Sequence, residues 1–587
     1  MSDDIEKYGS GITDGPVIEL ASSDHVGSLD PVSTTPWSRF KDSFKPNDAY
    51  VANYVQSTQQ DGKYDVDTAN RRVAESPLSR KLKSRHLQMI AIGGSIGTGL
   101  FVNSGIALQT GGPASLLIAF AIIGLMLYCT VHALGELAVV FPVAGSFSAY
   151  STRFIDPAWG FAMSWNYAIQ WLVVFPLELV AASITLNYWN SPVNNAVWVA
   201  IFWVVIVLIN FFGVKGYGEA EFVFSLTKVI AVIGFIILGI VLTAGGGIVG
   251  GYIGGKYWHD PGAFHYGFKG LCSVFVTAAF AFSGTELIGL AAAETHNPRK
   301  TLPSAVKQVF WRITLFYIVA LTLVGLLVPY NDERLLGSSS VDTAASPFVI
   351  AIHNAGISGL PSVMNVVIMI SVLSVGNSSV YGCSRTMASM ADMNFAPKIF
   401  GYVDRAGRPL VGIITTSIFG LLAFIVASPS EGAVFNWLLA LSGLSSIFTW
   451  GSICLSHIIF RRAWKVQGHS LDEIAFKSHP GVLGSYFGLI LNCLVLVSQF
   501  WIALWPVGGA KPNASTFFSS YLAAPIILVF YIFYKIWKRS PFVSPSTVDL
   551  VTGRRELDPV ALVEEIRLEK EEIRKRNVLV RVWKLWC

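Results

Sequence analysis

Three ionisable side chains stand inside otherwise apolar runs of the chain: Glu178 in FPLELVAA, Lys228 in FSLTKVIAV and Glu286 in FSGTELIG. A charge in hydrocarbon is costly, so such residues usually face a polar interior, and a desolvated carboxyl there can take up and release a proton near neutral pH. The competing reading is structural, a buried lysine and glutamate that neutralise one another. Glu286 is the first choice as proton carrier, because Gly284 interrupts the same run just before it. Glu136 and Glu294 lie nearer the ends of their runs and are weaker candidates. His132, in TVHALGE, reads as a hydrogen-bonded packing histidine.

Beside these charges lie two clusters of poor helix formers, IGGSIGTGLF at 92–101 and FAFSGTELIG at 280–289. Every backbone N–H and C=O in lipid must be satisfied internally, so an unwound helix is tolerated only where it lines a cavity or is buried by protein. Two interrupted spans suit a transporter site, with the free amides of one half-helix facing an anion and free carbonyls facing a cation. A zwitterion is the natural ligand. The alternative is that the glycines merely let helices approach closely, and a second cluster that carries a glutamate weighs against it. An ammonium beside an unwound helix can take the place of a structural cation, which favours proton over sodium coupling. The chain has no Walker sequence, no HExxH and no GxSxG, and its glycine clusters follow no strand, so neither an enzyme nor a nucleotide site is expected. No cofactor is expected beyond the proton as coupling ion.

The elements that must hold these groups are membrane helices. Of the 587 residues 53% are hydrophobic and 13% charged, and the mean hydropathy is +0.54; a soluble domain has roughly 25% charged residues. The pattern predicts an all-α integral membrane protein of about twelve spans. They start near 86, 114, 158, 196, 219, 270, 305, 361, 410, 433, 482 and 516. Breaks in spans one and six imply two inverted five-helix repeats, a LeuT-like arrangement, plus two further helices. The expected organisation is a disordered tail at 1–84, a transporter core at 85–540 and a tail at 541–587. Arg71, Arg72, Arg80, Lys81, Lys83 and Arg85 precede the first span, and the basic residues of alternate loops fall on the same side, so both termini are expected in the cytoplasm. The net charge of +5 thus reflects topology and not a nucleic-acid partner.

Five of the six cysteines lie in or at the end of apolar segments with no CxxC pair, which argues against a disulfide or metal framework. The last residue, Cys587, sits beside aromatic residues in VLVRVWKLWC, where it is a candidate for S-acylation or simply part of a packed tail. Leu562, Ile566 and Ile573 recur at helical spacing and predict a short amphipathic helix before it. Asn513-Ala-Ser515 fits the glycosylation pattern, but so close to the next span its use is not expected.

The stretches GGSIGTGLF, FSGTELIGLAAAETHNPRKTLPSAVKQVFWRI, SRTMASMADMNFAPKIF and ALSGLSSIFTWGSICLSHIIFRRAW together resemble the fungal amino-acid permeases of the amino acid–polyamine–organocation superfamily. Within them the chain looks most like the general permeases, down to the terminal VWKLWC, and the likeness covers about residues 80–587. It implies proton-coupled import of L-amino acids across the plasma membrane with broad specificity. A narrower permease for basic amino acids or proline, and an amino-acid receptor with little transport, stay open. It further implies that Gly97, Thr98 and Gly99 hold the substrate carboxylate, and that Phe280, Ala281 and Ser283 offer carbonyls to its ammonium. Phe282 would gate the site, Glu286 would serve as the acidic position after the second break, and Lys228 would stand in for sodium. Gln170, Glu178 and Ser442 would bear on side-chain choice. Membrane lipids are expected partners, and by the same resemblance Lys7, Lys41, Lys45 and Lys63 would be targets of ubiquitin-ligase machinery.

Overall fold

The computed structural model describes residues 35–47, 64–94, 96–248, 251–336, 346–427, 431–509 and 511–554, with a few positions beyond. Two units are distinguished, Met1–Lys45 and Pro46–Cys587. The described part of the first holds one short helix, α1 (Pro36–Asp42), opened by the hydroxyl of Thr35. There Lys45 pairs with Asp42 at 2.7 Å, and the Lys41 ammonium lies over the Trp37 ring.

Among the described residues the regular elements of the second unit are helices. The first are α2 (Val66–Ala74) and α3 (Ser84–Gly93), then a break, then α4 (Thr98–Phe101), which leads through Val102 into α5 (Asn103–Val140). A short turn of helix, α6 (Phe147–Tyr150), precedes α7 (Pro157–Thr185), α8 (Asn195–Phe211) and α9 (Gly213–Thr243). The second interrupted element is α10 (Gly267–Phe282) and α11 (Leu287–Ala293), followed by α12 (Pro298–Leu327). Two short helices, α13 (Glu333–Leu336) and α14 (Pro347–Asn354), lead to α15 (Leu360–Asp392), α16 (Leu410–Gly420) and α17 (Glu431–Val466). The last are α18 (Gly481–Leu504), α19 (Ala514–Tyr521) and α20 (Ala523–Lys538).

Among the described residues eight helices are long and apolar enough to cross a membrane, or nine if α19 and α20, bent by 70°, form one span. The chain is therefore a multi-pass integral membrane protein. The single run called α5 is really two helices, because Gly112 has φ 79° inside it and Pro113 follows. The backbone groups freed there are taken by a loop: the Ala114 amide donates to the Ala263 carbonyl and the His265 amide to that of Gly111, both at 2.9 Å. A side chain at Gly112 would collide with that loop, its Cβ 2.8 Å from the Ala263 oxygen. Helices differ sharply in exposure. On α9 the exposed Val223, Ile230 and Ile237 recur every seven residues, as do Leu483, Ile490 and Val497 on α18, so each presents one apolar stripe outward to lipid. By contrast α7, α10, α15 and α17 are mostly buried and form the centre of the bundle.

Residues 1–84, expected to lack structure, carry two helices in their described part. The reason for α2 is local and tertiary: Asp65 caps it through the amides of Asp67 and Thr68, and Ala69, Asn70 and Val73 are buried. Arg153, 1% exposed, ties this helix to the far end of the chain. Its Nε donates to Asn70 Oδ1 at 3.2 Å and its Nη1 to the Thr552 carbonyl at 2.9 Å, while the guanidinium lies 4.7 Å from the Phe141 ring centre. Asp549 accepts the amides of Val551 and Thr552, both at 2.9 Å. The expected helix around Leu562, Ile566 and Ile573 lies largely outside the described residues, as do Cys587, Lys7 and Lys63.

Removing the Arg153 fork leaves buried acceptors unpaired, so Arg153→Met is expected to cost about 3 kcal/mol. Arg153→Lys should recover only part, because one ammonium cannot serve both acceptors in the same plane. Thermal unfolding of the purified variants measures both, and a wild-type melting curve for Arg153→Met would refute the assignment. Burial pushes the Asp549 carboxyl up, but the Thr552 and Val551 amides and Arg153 outweigh it and hold the group below its ordinary value. Its stabilising effect is therefore present above the ordinary aspartate pKa of about 3.9 and lost as pH falls through the lower folded value. Asp549→Asn should flatten the pH dependence of unfolding in that window alone.

Candidate functional site

The two interrupted helices meet around one cavity. Gly97, Thr98 and Gly99 from the first break line it together with Phe280 and Ser283 from the second, Trp171, Val174 and Glu178 from α7, and Val375 from α15. The space between them is narrow, with room of only about 10 Å³ for the centre of a water molecule, far below the roughly 300–1,000 Å³ typical of ligand pockets, so the site is close to shut in this conformation. The breaks touch: a Cβ on Gly99 would lie 2.3 Å from the Cα of Ala281, so only a hydrogen fits between α4 and α10. Thr98 and Gly99 open a helix, where no preceding turn supplies carbonyls for their amides. The Thr98 hydroxyl donates to Glu178 Oε2, and Glu178 Oε1 has no hydrogen-bond partner within the protein.

Each break is stabilised by charged side chains. The last carbonyls of α3 receive two buried cations: Arg312 Nη1 donates to Ala91 O at 2.8 Å and Lys228 Nζ to Gly93 O at 2.9 Å. A cation is favoured at that end of a helix. Arg312 also donates to the Thr285 hydroxyl, so one guanidinium holds both breaks. Lys228 donates further to Ser374 Oγ at 2.7 Å and lies 3.9 Å from Glu221 Oε1. The second break turns at Gly284, φ 92°, and is closed by Glu286. That carboxylate accepts the Gly284 amide, the Tyr167 hydroxyl and Trp450 Nε1, each at 3.1 Å.

The structure thus brings Gly97, Thr98, Gly99, Phe280, Ser283 and Glu178 to the cavity wall and places the other expected residues behind it. Gln170 Nε2 donates to Ser283 Oγ at 2.8 Å and Ser446 Oγ at 2.9 Å, tying α7 and α17 to the second break. Ser442 is buried one helical turn before Ser446, and its carbonyl accepts the Ser446 hydroxyl at 3.2 Å. The Ala281 carbonyl accepts the Tyr317 hydroxyl at 2.6 Å and the Phe280 carbonyl the Ser283 amide at 3.1 Å; each keeps a second lone pair. Phe282 does not line the cavity: its ring lies 4.1 Å from that of Tyr317 and 5.8 Å from that of Phe120. Lys228 and Glu286 are one layer away from the cavity, holding the breaks.

Glu136 and Glu294 have partners of their own. Glu136 accepts Arg461 and the Ser478 amide, and Glu294 accepts the Tyr381 hydroxyl at 2.6 Å and Arg385. His132 bonds the Tyr128 carbonyl through Nδ1 at 3.0 Å, as a packing histidine would. Two site residues escape a reading of the sequence, Arg312 and Glu221. Both carried a usable signal, an ionisable residue within a span: Glu221 lies at the expected start near 219, and Arg312 seven residues past the one near 305, just before the uncharged stretch that follows it. In the structure α9 starts at Gly213 and α12 at Pro298, which puts Glu221 and Arg312 well inside.

The profile of the amino acid permease family matches residues 86–544. The chain is 62% identical over 570 residues to the general amino-acid permease GAP2 of Candida albicans, covering 96% of each. It is 57% identical to the general amino-acid permease GAP1 of Saccharomyces cerevisiae over 97% of this chain and 95% of that one. It is 54% identical to the histidine permease of the same yeast, over 89% of this chain and 88% of that one. Two broken helices closing on one cavity, and identity at this level along nearly the whole chain, place this protein in the amino acid permease family.

Proposed function

We propose that this protein is a permease and not an enzyme: it imports amino acids of many side-chain classes across the plasma membrane by alternating access, with a proton as coupling ion. The observation that carries this reading is the convergence of helix-start amides at Thr98 and Gly99 with the carbonyl end of α10 on one cavity. Amides at a helix start favour a carboxylate and carbonyls at a helix end favour an ammonium, which is what every α-amino acid offers. Two general amino-acid permeases among its relatives support breadth. Glu178 on the cavity wall is the one feature that favours cationic side chains, in keeping with the similarity to a histidine permease.

In this reading α5 divides at Gly112, α8 and α16 count as short spans, and the long apolar helices rise to about twelve. The interrupted helices become spans one and six of two inverted five-helix repeats, with both termini in the cytoplasm. Glu178 is the better proton carrier than Glu286. It touches the cavity and one of its oxygens is free of protein donors, whereas Glu286 is held by three donors that keep the second break in shape.

Reconstituted into liposomes, the protein is expected to accumulate several classes of radiolabelled amino acid only under an inward proton gradient. Glu178→Gln should still exchange internal for external substrate but lose gradient-driven accumulation; full accumulation with unchanged pH dependence would remove Glu178 from the coupling step. Glu286→Gln should impair exchange and accumulation alike, since it loosens the break itself. Gly99→Ala forces backbone against backbone at Ala281, which is expected to cost about 1–3 kcal/mol and to abolish uptake in protein that still reaches the membrane. Binding without any accumulation in the wild type would favour a receptor.

A further inference from the structure

On the side of the bundle where α3 and α9 begin, three separate segments close around a solvent-open cleft of about 440 Å³. Arg80, Lys81, Lys83 and His86 come from the approach to α3 and its first turn, Lys215 from the start of α9, and His296 from the turn after α11. No carboxylate lines it. Glu219 is engaged by Arg85 and by His86 Nε2 at 3.1 Å, and among the described residues no ion pair neutralises Arg80, Lys81, Lys83 or Lys215.

The rule that loops facing the cytoplasm are basic accounts for the presence of these residues but not for their convergence. The convergence is built. Residues 80–83 run extended beside 294–296: the Leu82 amide donates to Glu294 O at 3.0 Å and the His296 amide to Leu82 O at 3.3 Å. Side chains alternate along such a stretch. Leu82 is fully buried, so its neighbours Lys81 and Lys83 are turned out together, where both line the cleft. Lys215 stands at the foot of α9, on the helical face that continues through the exposed Val223, Leu226 and Ile230. The cleft therefore opens at the base of an apolar stripe that faces lipid.

We propose that this cleft binds the phosphate-rich head group of an anionic lipid of the cytoplasmic leaflet, with the acyl chains lying along the outer face of α9. Four lysine and arginine side chains, three from residues 80–83 and one from the start of α9, suit several phosphates on one ring better than a single monoanionic head group. The adjoining stripe suits a lipid better than a free phosphate. The choice of leaflet rests on the cytoplasmic orientation given above; the binding chemistry does not.

The test uses the full chain in detergent and a fluorescent short-chain phosphatidylinositol 4,5-bisphosphate as probe, read by anisotropy. The triple variant Lys81→Gln/Lys83→Gln/Lys215→Gln is expected to weaken binding by about 10–100-fold. The control Lys398→Gln/Arg405→Gln, exposed basic residues elsewhere, should leave it unchanged. Equal weakening by the control, or equal affinity for phosphatidylserine, would reduce the effect to general surface charge and overturn the site. Inositol 1,4,5-trisphosphate or inorganic phosphate competing as tightly as the lipid would overturn the lipid as its source. Uptake by the same preparation in phosphatidylcholine liposomes separates the two readings: transport without probe binding sinks this inference alone, and probe binding without transport sinks the proposed function alone.

Discussion

A helix interrupted in hydrocarbon must have its freed backbone groups satisfied by the protein itself, and the architecture here follows from that demand. The first interruption strands the carbonyls of Ala91 and Gly93, and two buried cations, Arg312 and Lys228, receive them. The second turns at Gly284, and Glu286 folds back onto the amide of the same glycine. Those ions then need partners in turn. Lys228 finds Ser374 and Glu221, Arg312 reaches Thr285, and Glu286 draws in Tyr167 and Trp450 from two further helices. The polar interior of the bundle is thus the chain of obligations that two breaks create.

What those ions leave open is where a ligand can act. Glu178 is the charged residue on the cavity wall, joined to the first break through the Thr98 hydroxyl. The contact of Gly99 with Ala281 leaves no room for the two breaks to slide past one another. Under the function proposed above, main chain at the two breaks reads the carboxylate and the ammonium that every α-amino acid carries. Main-chain recognition is indifferent to the side chain, and in that proposal selectivity falls to the walls contributed by α7 and α15.

The glycine clusters, the charges inside apolar runs and the family likeness made both breaks and most of the cavity legible in the sequence. Composition and local pattern carry that information because unwinding and burial are local demands. Glu221 stayed hidden because an apolar window marks the hydrocarbon-like part of a helix more clearly than its ends, and Arg312 because its partners, Ala91 and Thr285, lie far away in sequence. Phe282 shows another limit: two residues along a helix turn a side chain by about 200°, enough to send Phe280 to the cavity and Phe282 to Tyr317. The helix at Val66–Ala74 was obscured for a related reason. Its polar composition resembles a tail, and what orders it is Arg153 and the segment near Thr552, far away in sequence.

The short pairing of Leu82 with Thr295 joins the segment just before α3 to the segment just after α11. These are the two halves of the broken helices on the same side of the bundle, and two main-chain hydrogen bonds link their far ends without any intervening side chain. Such a linkage behaves as a tie rod. Displacing either half-helix drags the other and, with it, the polypeptide leading up to Arg80. The entry to α3 is therefore geared to the motion of α11, and whatever stiffens that entry stiffens both.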